Sequence, residues 1–146
     1  MVKKSRAELL ATEIGGRLVQ DWDADWRQVS AGFEGPYPEL RNYVGLARAV
    51  QDNTVKYILR ATEHNGGGLA KGLRRINGPD QTGNSAYGAQ KIRAHMPDLT
   101  LEVLCVGTTE AAAHYMKKLK ALMIKLHDPE WNRPANARLK KLRSGC

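Results

Sequence analysis

Cysteine is scarce in this chain, with two among 146 residues, and that scarcity excludes a disulfide-stapled scaffold. Cys105 falls in an apolar run that reads as a core strand, and Cys146 is the last residue; the two make neither a bridge framework nor a zinc ligand set. No run approaches the ~18 consecutive apolar residues that a membrane-spanning helix needs. The basic start, Met1 to Arg6, has no long apolar stretch behind it, so no secretory signal is expected and a cytoplasmic location is. Repeats and low-complexity tracts are also missing. The most telling absence is local: from Ala111 to His127 there is no carboxylate at all.

What is present is enough apolar side chain, 42%, for one ordinary folded domain. The formal net charge is +8, and it is unevenly placed. Residues 1–45 carry six basic and seven acidic side chains, whereas residues 46–146 carry seventeen and eight. A polyanion is the natural partner for such a surface, because each neutralised phosphate releases counterions.

Ser5 to Gln20 is predicted as a helix. Ser5 and Glu8 form a capping box, Leu9, Leu10, Ile14, Leu18 and Val19 recur at helical spacing, and Gly15-Gly16 weakens the middle. Trp22 and Trp26, one helical turn apart, read as packing residues. Asp21, Asp23 and Asp25 beside them would repel a phosphate backbone. A Gly- and Pro-containing connector follows, over residues 30–38.

Two strand-forming runs, 43–50 and 55–61, flank the polar turn 51–54 and predict an antiparallel hairpin. Gly66-Gly67-Gly68 opens a short helix over 69–76, but it lacks the Lys-Ser/Thr ending of a nucleotide-binding loop. After the turn at 77–83, Asn84 or Ser85 caps a helix running to about His95, where Pro97 stops it. Residues 99–106 read as a central strand. Thr108 or Thr109 then caps the longest helix, Glu110 to His127. Its apolar face is Tyr115, Leu119, Leu122, Met123 and Leu126; Lys117, Lys118, Lys120 and Lys125 take much of the rest. The fold class expected is α+β, a small three-stranded antiparallel sheet flanked by helices. Residues 1–40 would be a helical extension and connector, 41–134 the main domain, and 135–146 a basic tail.

Strand, turn, strand, short helix, helix, strand, long helix and then Pro-x-x-Asn is an element order that resembles the GIY-YIG endonuclease family, over roughly Asn42 to Asn132. Gly45-Leu46-Ala47 stands where that family writes Gly-Ile-Tyr, and Tyr57-Ile58-Leu59 where it writes Tyr-Ile-Gly. Asn84-Ser85-Ala86-Tyr87-Gly88 looks like the small-residue cap of the family's middle helix, and Pro129-Glu130-Trp131-Asn132 like its Pro-x-x-Asn. The resemblance implies phosphodiester hydrolysis with one divalent metal, held by a glutamate on the long helix and assisted by a tyrosine and an arginine.

This chain departs from that pattern at the residues that matter. Lys120 or its neighbour stands where the glutamate is due, Ala47 replaces the first tyrosine, and Gly72 takes the arginine position, with Arg74 and Arg75 close by. An ammonium repels a divalent cation and suits a phosphate oxygen.

The expected function is therefore a catalytically inactive GIY-YIG-like protein that binds DNA or RNA through a basic cleft. Its phosphate contacts would be Lys71, Arg74, Arg75, Lys91, Arg93, Lys117, Lys118 and Lys120, with no metal or other cofactor. Two alternatives stand beside it. One is a protein-binding inhibitor or regulator of a host enzyme, of the kind a phage or mobile element encodes, anchored by Trp22, Trp26, Phe33 and Tyr37. The other is a Mg²⁺-dependent endonuclease with a rearranged site, keeping Tyr57, Arg74 and Asn132 and recruiting Glu63 or Glu102 to the metal. No catalytic histidine is assigned among His64, His95, His114 and His127, and the helix dipole accounts for His127.

Overall fold

The computed structural model of the chain describes residues 5–35, 37–61, 68–74, 76 and 83–133. Its centre is the hairpin of β4 (Val44–Gln51) and β5 (Thr54–Ala61). Asp52 and Asn53 both have positive φ, 51° and 62°, the left-handed pair that a two-residue turn matching the strand twist requires. Asx side chains tolerate that conformation better than most, so the sequence writes the turn where it needs it.

The second neighbour of β4 is β6 (Thr100–Gly107), antiparallel, with Arg48 opposite Glu102 and Leu46 opposite Leu104. A two-residue strand, β3 (Arg27–Gln28), pairs with β6, giving the order β3-β6-β4-β5. The sheet thus has four strands where sequence predicts three. The α+β class, a small antiparallel sheet flanked by helices, is what the chain adopts.

Because successive strand residues face opposite ways, the sheet builds two cores. One gathers Ala47, Ala49, Tyr57, Leu101 and Val103 with α3 (Gly68–Arg74), α4 (Gly83–His95) and Trp131. The other gathers Val44, Leu46, Ile58, Leu104 and Val106 under the long helix α5 (Glu110–His127). Thr109 caps α5 by accepting the Ala112 N–H at 3.1 Å. At the far end, Asp128 turns left-handed and returns its N–H to the Ile124 carbonyl at 2.7 Å.

The N-terminal forty residues correct the sequence reading. Ser5 does cap a helix, accepting the Glu8 N–H, but α1 spans only Arg6–Leu10. Gly15 and Gly16 take φ of 58° and 84°, closing a miniature hairpin of β1 (Glu13–Ile14) and β2 (Arg17–Leu18). A second short helix, α2 (Val19–Asp23), follows. Two glycines free to adopt positive φ override the helical spacing of the leucines around them. At Gly15 a side chain would also meet the Tyr115 ring at 2.7 Å. This segment is packed into both cores: Leu9, Ile14, Val19 and Trp22 lie under α5, and Phe33, Tyr37 and Leu40 lie on the opposite face. Sequence places Trp22 and Trp26 on one helix face, yet α2 ends at Asp23 and Trp26 lies beyond it. No helix among the described residues is long and apolar enough to cross a membrane.

Candidate nucleic-acid interface

The two-sided sheet decides which of the sequence-predicted basic residues can act together. Lys71 and Arg74 belong to α3, and Lys91 and Arg93 to α4, on one face of the sheet. Lys117, Lys118 and Lys120 belong to α5, on the other. They do not line one cleft. Arg75 and the 135–146 tail, like His64, Glu63 and Cys146, lie outside the described residues. Lys71, Lys91 and Arg93 are all engaged inside the protein. Arg93 donates to the Ile76 carbonyl, and the Lys91 ammonium sits 5.6 Å from the centre of the Tyr87 ring.

Both layers of helices pack on β4 and on β5, and β5 is an edge strand of the sheet. Here α5 and α3 both pack against β5, and a side chain at Gly72 would touch Ala61 Cβ at 3.2 Å. Arg60 is exposed on this strand, one residue before its end, and belongs to the set of alternating positions that faces α5. Lys120 reaches the same region from α5 and is half-buried. Burial first, and the Arg60 charge second, hold its ammonium below the usual lysine value. Among the described residues neither cation has an acidic partner. Two neighbouring positive charges with no acidic partner can attract an anion.

Arg60 is not among the basic residues that the sequence nominates. Its alternation with Ile58 along a strand under the long helix is the signal that could have found it.

The other motif residues are engaged structurally. Asn132 accepts the Ile58 N–H at 2.6 Å and donates to the Ile58 carbonyl at 2.8 Å, closing the edge strand as a neighbouring strand would. Tyr57 is buried against α4, where a side chain at Gly88 would strike its ring at 2.4 Å. Ala47 is fully buried in the same core. Arg74 is exposed on α3, so the Tyr57, Arg74 and Asn132 set contains two packing residues and one surface guanidinium. Glu102 is committed to Arg48 at 2.7 Å. No group of three or more His, Cys, Asp or Glu among the described residues is placed to hold a metal ion.

The proposed protein-binding anchors are corrected as well. Trp22, Phe33 and Tyr37 are 4%, 3% and 4% exposed, and a side chain inside the core has no surface to offer a partner. Trp22 donates its indole N–H to the Ile14 carbonyl at 2.9 Å. The Tyr37 hydroxyl donates to the Gly32 carbonyl at 2.6 Å, and burial, with the Glu34 charge, pushes its pKa up to about 12. Trp26 is half-buried beneath the Arg48 guanidinium, 4.2 Å from its ring centre.

His127, which sequence left to the helix dipole, is tied to Asp23 at 2.8 Å. His95 bonds the Lys91 carbonyl at 2.9 Å, and His114 is exposed. No protein-family model matches the chain, and no curated protein or solved structure does either.

Proposed function

We propose that the chain is a GIY-YIG-like protein without the catalytic set of the nucleases, binding nucleic acid through phosphate contacts at the β5 edge. One observation carries this reading: Lys120 and Arg60 converge without a carboxylate to neutralise them. The resemblance puts the metal-holding glutamate at Lys120 or its immediate neighbour, and an ammonium beside a guanidinium repels Mg²⁺ while attracting a phosphate oxygen. The order β4, β5, α3, α4, β6, α5 and then Pro129 to Asn132 supports the same reading. Lys117 and Lys118, both exposed on α5, extend the positive surface along that helix, while Arg74 is exposed on α3, on the other face of the sheet. These groups are phosphate contacts by type and carry no sequence code.

A fluorescence anisotropy titration with labelled oligonucleotides tests the reading. Affinity should fall steeply between 50 and 200 mM salt, as counterion release requires. Weak binding that ignores salt would overturn it. Plasmid and RNA incubated with Mg²⁺ or Mn²⁺ should stay intact, and strand scission by the pure protein would return the chain to the nucleases.

A further inference from the structure

Tyr43 is the one large hydrophobic side chain exposed among the described residues, at 39%, in a protein that buries its other large aromatics in whole or in part. Its backbone is fixed on both sides. The Tyr43 N–H bonds the Leu40 carbonyl at 3.3 Å, and its carbonyl accepts the Leu69 N–H at 2.8 Å. Gly68 makes that second approach possible, for a side chain there would meet the Tyr43 carbonyl oxygen at 2.3 Å. The ring is therefore presented from a pinned point, with little backbone order left to lose on binding.

Its place in the sheet gives it a role. Tyr43 directly precedes β4, whose Gly45 and Leu46 pair with Ala61 and Arg60. It stands toward the same end of the sheet as Arg60, about 10 Å along the strand from the Arg60 level at ~3.4 Å per residue. Arg41 and Asn42, immediately before it, are exposed too, and Arg41 has no acidic partner among the described residues. An aromatic face flanked by unneutralised cations is how proteins take single strands: phosphates follow the charge and a base stacks on the ring. A duplex keeps its bases stacked on each other and has none to offer.

We propose that Tyr43 is a stacking platform for an unpaired base, so that this end of the sheet takes single-stranded nucleic acid in preference to duplex. The inference rests on the nucleic-acid reading above. It differs from a reading in which the basic surface merely holds a duplex backbone.

The test is anisotropy with the full chain against four probes of equal length: oligo-dT, oligo-rU, an abasic deoxy-oligomer carrying the same phosphates, and a mixed-sequence duplex. Oligo-dT or oligo-rU should bind tighter than the abasic strand by about 5- to 150-fold, the range of one base–aromatic stack. The dT and rU arms separate DNA from RNA. Tyr43→Ala should erase that preference, and Tyr43→Phe should keep it. A wild-type protein that binds the abasic strand or the duplex as tightly as oligo-dT and oligo-rU overturns the stacking proposal and leaves phosphate binding standing. So does a Tyr43→Ala protein, shown folded by circular dichroism, with undiminished preference. Salt-insensitive weak binding to all four probes overturns both.

Discussion

His127, the last residue of α5, and Asp23, the last residue of α2, meet at 2.8 Å across 104 positions of chain. A carboxylate only accepts, so His127 Nε2 carries the shared proton. Asp23 also accepts the Trp26 indole N–H at 3.0 Å and faces Arg48 at 3.8 Å, which in turn holds Glu102. The N-terminal segment is thereby tied to the long helix at a largely covered site. Asp23→Asn should cost about 1.5–3 kcal/mol at neutral pH, the worth of hydrogen bonds to a charged group, read by urea denaturation.

The same carboxylate sets an acid limb. Burial alone would raise its pKa, but the His127 hydrogen bond and charge, the Trp26 N–H and the Arg48 charge together hold it below 3.8. A folded pKa below the unfolded one gives stability that is complete above 3.8 and lost as pH falls through the lower, folded value. Stability measured from pH 6 downward should show this loss in the wild type, and Asp23→Asn should flatten it. Identical acid limbs in the two proteins would contradict the clasp.

The hairpin, α4, β6 and α5 were legible in the sequence because each depends on local chemistry: alternation, a capping threonine, a stopping proline. The N-terminal segment was not, since its leucines carry helical spacing while Gly15-Gly16 has the stronger local preference for a turn. Of the candidate site, Lys120 was legible as a lysine in a helix with no carboxylate from Ala111 to His127. Arg60 was signalled only by its alternation with Ile58, and its sharing a strand end with Tyr43 emerges only from pairing register. The expectation of one cleft failed for a related reason: sequence shows that helices are basic but not which side of a sheet each covers.

Asn132 should prove a bracing residue of the β5 edge. Asn132→Ala leaves the Ile58 N–H and carbonyl without their partner, at a cost of about 1–3 kcal/mol for each group left buried and unpaired. Hydrogen exchange at the Ile58 amide should accelerate selectively. An unchanged exchange rate would sink this role.

Gly45 tests the packing of the sheet centre. A Cβ there would lie 2.1 Å from the Leu104 carbonyl oxygen, where the β4–β6 register shifts. Neither strand can retreat without breaking its ladder. Gly45→Ala should therefore destabilise by about 1–3 kcal/mol or more, the usual cost of overpacking, seen as a lowered Tm. A neutral substitution would mean the two strands are further apart.

Lys120 should be a stability cost that the fold carries. Its ammonium is held below the usual value by burial and by Arg60, so the unfolded chain binds that proton more readily. Between the folded pKa and 10.5, stability should rise with pH, and this component should vanish in Lys120→Met. Lys120→Met should be more stable than the wild type at neutral pH, and Lys120→Glu should pair with Arg60 instead of repelling it. A destabilised Lys120→Met would point to an acidic partner for the lysine.

The most direct measurement is the salt dependence of oligonucleotide affinity for the wild type, Lys120→Gln and Arg60→Gln. If each side chain neutralises a phosphate, each substitution weakens binding across all sequences and lowers the slope of log affinity against log salt by about 0.7–0.9. Variants whose affinity and slope match the wild type would contradict a phosphate seat between α5 and β5.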